Sequence, residues 1–173
     1  MGCLMFHGRI HGPNFDAEKI ERVSKMPPRE LHFKDFSEGL REVDRLVNGY
    51  SSKGEWDLAQ VCDHLAYFIE GSLDGHQYKV PWLLKVLFGG LVRKRILRTG
   101  KMKANVPTPQ KPLPARGMDQ AQAIARIKKA IARLESHRGE MHDSPFFGHL
   151  TPDEWRRLHL THMEHHLGYL IPK

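Results

Sequence analysis

A chain of 173 residues with 40% hydrophobic and 27% charged side chains suits one compact globular domain and excludes the disordered and collagen-like classes. Its 27 Lys and Arg against 20 Asp and Glu leave a formal charge of +7, a surplus that attracts nucleic acid, anionic lipid or acidic metabolites without selecting among them. Two cysteines, Cys3 and Cys62, exclude a disulfide framework and a paired-thiolate knuckle, and with no signal-peptide pattern at the start the expected location is cytoplasmic.

Residues 1–30 read as an irregular segment punctuated by Gly8, Gly12, Pro13, Pro27 and Pro28, with room for a short helix from Asp16 to Ser24; residues 31–173 read as the folded domain. The first sustained helix is predicted from Lys34 to Val47, where Phe36, Leu40, Val43 and Val47 recur three or four apart, and Asn48-Gly49 stops it. A second runs from Trp56 to Leu73, its inward stripe formed by Leu58, Val61, Leu65, Phe68, Ile69 and Ser72, with His64 inside that stripe. Gly71 and Gly75 loosen its end.

Trp82 to Leu97 forms a third helical candidate, too short and too interrupted to span a bilayer. It fits a cover over the bundle or over a pocket. With the basic run Arg93-Lys94-Arg95 and Arg98, it also fits a helix lying on a membrane surface. The run has no interleaved aromatics, so it reads as a solvated face and no specific nucleic-acid partner is expected. Residues 101–118, with Pro107, Pro109, Pro112, Pro114 and Gly117, read as a long extended crossover of the kind that joins two helical hairpins. A helix from Asp119 to His137 follows on an Ile124, Ile127, Ile131, Leu134 seam. The last helix opens on a Thr151 cap with Pro152 and Glu154, and is predicted to reach Leu170. With no strand alternation, the class is all-α, a four-helix bundle carrying an additional apolar-basic segment.

The chemistry concentrates in histidines. His162 and His166 are four apart, so their imidazoles stand on one helix face a turn apart, and His64 offers a third from another inward stripe. Three neutral imidazoles leave an open position on a divalent ion such as zinc, and nickel or iron also accepts imidazole. The competing reading is three core histidines satisfied by carboxylates or carbonyls. His159 is the reserve ligand, and His165 points about 100° away from His166. Cys62, two positions before His64, reads as a small core hydrophobe rather than a nucleophile. Asp63, Glu70 and Glu164 read as solvated helix edges or helpers outside the facing histidines. No HExxH, phosphate loop or GxSxG elbow is present in the sequence.

The stretch Trp56-Asp57-Leu58-Ala59-Gln60-Val61-Cys62-Asp63-His64-Leu65 and the closing His162-Met163-Glu164-His165-His166-Leu167 resemble the DinB-like metal-binding helical bundles, in outline from His32 to Tyr169. Phe146-Phe147-Gly148-His149-Leu150-Thr151 before Trp155 is similar to a branch of that superfamily of uncharacterised function. The resemblance implies an up-down-down-up bundle, the Pro-rich segment spanning the long crossover, and His64, His162 and His166 as ligands of a divalent metal, zinc or nickel foremost. Some relatives are transferases or isomerases that use low-molecular-weight thiols, which implies a small thiol and an electrophilic substrate here. Leu167-Gly168-Tyr169 departs from the arginine-glycine segment of many relatives. Three classes stay open: a metal-dependent transferase, a metal-stabilised binding or stress-response module, and an interaction or membrane-surface protein; a homodimer is compatible with each.

Overall fold

The structure is a computed structural model that describes residues 28–102 and 114–173. The expected helix at Asp16 to Ser24, most of the irregular N-terminal segment, and residues 103–113 of the crossover lie outside the described residues. The chain is mainly helical, in the order α1 (Phe36–Val47), β1 (Tyr50–Ser52), α2 (Leu58–Asp74), α3 (Trp82–Leu84), a π-helical stretch (Lys85–Gly89), α4 (Gly90–Thr99), α5 (Gln120–Ser136), α6 (Pro152–Leu167) and β2 (Leu170–Pro172).

Each long helix starts where a side-chain oxygen can satisfy an orphan backbone N–H. Asp35 accepts from Glu38 at the start of α1, and Asp119 from Gln122 at the start of α5. Asp57 with Gln60, and Thr151 with Glu154, form reciprocal capping boxes on α2 and α6. These two boxes fix the starts of the helices that carry the histidines.

The core is one cluster in which α2 packs chiefly on α5 and also on α6. Leu58, Val61, Leu65 and Ile69 of α2 meet Ile127, Ile131 and Leu134 of α5 and Leu158 and Leu167 of α6, all buried. Each such side chain contributes roughly 1.5–3 kcal/mol by leaving water. The seam expected on α5 is the buried one, although Ile124 is only partly covered. On α1 the expected Val47 is exposed and Leu46 takes the core position, three residues after Val43 rather than four. Glu42 is buried beside it because Arg29 donates to its carboxylate at 2.5 Å and to the Leu170 carbonyl at 2.6 Å.

The C-terminus corrects the sequence reading. α6 ends at Leu167 instead of reaching Leu170, and Leu170–Pro172 pairs antiparallel with Tyr50–Ser52, with Ser52 opposite Leu170. Gly168 allows this, because its carbonyl accepts from Arg29 at 2.8 Å and an added Cβ would stand 2.6 Å from the Arg29 carbonyl. Gly71 is likewise no loosened end: it lies buried inside α2 where the His76 ring packs against it, 2.3 Å from where a Cβ would sit.

The predicted third helix is present and runs on to Thr99, interrupted by the π-helical stretch. It is fastened at Gly89, whose Cβ position would lie 2.4 Å from the Phe146 carbonyl oxygen, and at Arg93, which donates to the His149 carbonyl at 2.9 Å and to both Glu154 carboxylate oxygens at 2.6 Å. Backbone cannot retreat as a flexible side chain can. Gly89→Ala is therefore expected to lower stability by about 1–3 kcal/mol, read as a shift in urea midpoint, whereas Gly90→Ala, with open space around it, should leave the midpoint unchanged or raise it.

Candidate metal centre

His64 sits two turns into α2, and His162 and His166 occupy successive turns of α6, and the packing of α2 on α6 brings the three imidazoles together between the helices. One donor atom from each lies within 4.8 Å of the others. Nε2 of His64 stands 3.2 Å from Nε2 of His162. Two nitrogens each bound at about 2.0–2.1 Å to one tetrahedral ion stand about 3.3 Å apart, so that spacing suits two ligands of a shared ion.

The rings stand steeply inclined to one another. Centroids are 5.0 Å apart for His64 and His162, 4.6 Å for His64 and His166, and 4.6 Å for His162 and His166, with interplanar angles of 66°, 69° and 74°. A splayed set of this kind aims nitrogens inward instead of stacking ring faces. His64 is only 2% exposed, while His162 and His166 are half-buried, so the point of convergence has a dry side on α2 and a more open side on α6. The donor set is all-nitrogen and borderline in softness, which fits zinc or nickel better than magnesium or calcium.

Two aromatic side chains hold these rings. Trp56, the residue before the α2 cap, stacks on His166 with centroids 5.2 Å apart at 13° and lies 4.7 Å from His64. Phe68 presents an edge geometry to both His64 and His162, at 4.8 Å and 5.0 Å. Phe68 could be anticipated, being four residues after His64 on one helix face. Trp56 carries no such local signal, since its contact with His166 depends on how α2 meets α6.

The other candidates have separate duties. His159, the reserve ligand, is fully buried next to Ser72, with Nε2 at 2.9 Å from Oγ, and stacks on Trp155; it is not part of the converging set. Burial, assisted by nearby His76, pushes its pKa down to about 3, so it is neutral near pH 7. His165 lies beside His166 and Tyr169 and is likewise outside that set. Burial pushes the Cys62 thiol up to about 12, which keeps it protonated inside the core.

Asp63 and Glu70 both accept from the Arg126 guanidinium and thereby clamp α2 to α5, and Glu164 accepts from the Phe33 backbone N–H at 2.6 Å. These carboxylates are structural ties between segments rather than solvated edges. His76 escaped the sequence reading: neither of its buried ring nitrogens has a hydrogen-bond partner among the described residues, and burial, then His142, pushes its pKa down to about 4. It packs between Phe68 and Trp155.

A family model described as "Protein of unknown function (DUF1569)" matches residues 25–173. No curated protein matches the chain, and no solved structure does.

Proposed function

The chain belongs to the DUF1569 family, and with that as premise we propose that it binds one divalent metal ion, zinc or nickel, through His64, His162 and His166, and uses it to transfer a low-molecular-weight thiol to an electrophile. The observation that carries the metal reading is the convergence of three imidazoles from two helices, with Nε2 of His64 and His162 3.2 Å apart. The thiol reading rests on the likeness of the Trp56 to Leu65 and His162 to Leu167 stretches to DinB-like bundles. It carries with it a four-helix bundle of α1, α2, α5 and α6 running up-down-down-up, supported by the order of these helices and the packing of α2 on α5 and α6.

In this reading the bound ion supplies Lewis acidity that favours the thiolate form of the thiol. The chain supplies the rest. His64, His162 and His166 would hold the ion through three imidazole nitrogens, which would leave a position for a sulfur ligand. Trp56 and Phe68 pin the imidazole planes and keep the α2 side dry, which strengthens charge interactions there. Cys62, buried and protonated, does not compete as a ligand.

Elemental analysis of untagged protein, followed by cobalt(II) reconstitution and addition of cysteine or glutathione, tests both layers. About one equivalent of metal and a new near-ultraviolet thiolate-to-cobalt band are expected. Metal without the band leaves a metal-stabilised module and removes the transferase. Protein that holds no metal after reconstitution removes the site.

A further inference from the structure

Between Asp74 and Asp119 the chain carries ten Lys and Arg and no Asp or Glu, so this segment alone exceeds the formal +7 of the whole and leaves the remainder at −3. The helical part of this segment among the described residues is the α3, π-helical and α4 unit. The inward side of that unit is fixed by Gly89 against Phe146, by Arg93 on Glu154 and by buried Ile96. Fastening those positions turns Trp82, Leu83, Val86, Leu87, Phe88 and Leu91 outward, all half or more exposed, with Trp82 at 73% and Leu91 at 75%. Scattered exposed apolar residues mean little, but six within ten positions of one helical unit form a patch.

The cations border this patch. Lys79 precedes it, and Lys94, Arg95 and Arg98 follow it, all exposed. Arg93 differs from its neighbours, because its guanidinium is committed to Glu154 and the His149 carbonyl. A groove of about 560 Å³ lined by Gly90, Arg93, Lys94, Leu97, Arg98 and Glu154 opens beside them, and its one carboxylate is the one Arg93 neutralises.

We propose that this unit docks the protein on an anionic phospholipid bilayer, with Trp82, Val86, Leu87 and Leu91 entering the interface and Lys94, Arg95 and Arg98 meeting lipid phosphates. Charge decides the occupant. A symmetric second copy would bring one strongly cationic segment against another, whereas an anionic leaflet supplies the opposite sign and an apolar layer beneath it. No helix among the described residues is long and apolar enough to cross a membrane, so the contact lies in the interface plane. The proposal is independent of the metal reading.

The test is sedimentation of the full chain with phosphatidylcholine vesicles and with vesicles of phosphatidylcholine and phosphatidylglycerol in equal parts, at low and high salt, with tryptophan emission recorded. Binding to the anionic vesicles, weakened by salt and accompanied by a blue shift that Trp82→Phe abolishes, is expected. Lys94→Gln/Arg95→Gln should bind about 30-fold more weakly, since each cation near the surface contributes about 1 kcal/mol. These positions are exposed, so circular dichroism should match the parent. Equal partition onto both vesicle types, no partition onto either, or a dimer dispersed by Leu87→Ser/Leu91→Ser with indifference to vesicles would each overturn the proposal.

Discussion

His64→Ala, His162→Ala and His166→Ala are each expected to weaken zinc binding by about two orders of magnitude. A structural zinc site is worth about 10–16 kcal/mol in all, and an equal share among four ligands is about 3 kcal/mol. The check is competition against a chromophoric chelator at pH 7. His159→Ala and His165→Ala serve as controls, since neither belongs to the converging set. Metal lost on changing His159 but kept on changing His162 would replace the assigned α6 register with another.

The second large effect concerns acid. The folded pKa of His159 lies at about 3, below the ordinary value of 6.5. The unfolded chain therefore takes up a proton that the folded chain refuses throughout that window. The contribution of this neutral imidazole is complete above pH 6.5 and is lost as pH falls from there toward 3. The slope is about 1.4 kcal/mol per pH unit for one proton. Urea unfolding of chelator-treated protein at pH 7, 6 and 5 should show the loss. His159→Gln, which keeps a donor for Ser72 Oγ, should reduce the slope between pH 6 and 5 by about that amount. An unchanged slope would mean that His159 is charged or hydrated in the folded state. His76, with its pKa near 4, adds in the same direction, so the slope of the variant should not reach zero.

The helices that carry the imidazoles were legible because their signals are local. Thr151 with Glu154 marks the start of α6, and a four-residue step sets His162 above His166 on one face. An apolar stripe through Leu58, Val61, Leu65 and Ile69 marks α2, although its Asp57 and Gln60 capping box escaped the sequence reading. His64 fell in an apolar stripe, and a polar ring on a buried face needs a partner. Cys62 was readable by the same geometry, pointing away from His64 into the core, where burial holds its thiol protonated. The family match extends over the histidine-bearing helices without assigning a role to any residue.

What stayed hidden depends on contacts between distant segments. A three-residue strand such as Leu170–Pro172 is too short to show alternation, and only Tyr50–Ser52 beside it makes it a strand. Leu46 rather than Val47 lies in the core, and Glu42, one turn before it on α1, is buried with it because Arg29 from outside the helix donates to its carboxylate, a contact that periodicity alone does not register. Asp63 and Glu70 looked like solvated edges until Arg126 of α5 came to lie across them. Arg93 looked like one member of a basic run, yet Glu154, sixty-one residues later, takes it out of that run.

The most direct test of the central claim is zinc-edge X-ray absorption on protein reconstituted with one equivalent of zinc. The geometry predicts three imidazole nitrogens at about 2.0–2.1 Å and one further light ligand from solvent. A shell of two or fewer imidazoles, or sulfur scattering at about 2.3 Å in the absence of added thiol, would contradict a site made by His64, His162 and His166.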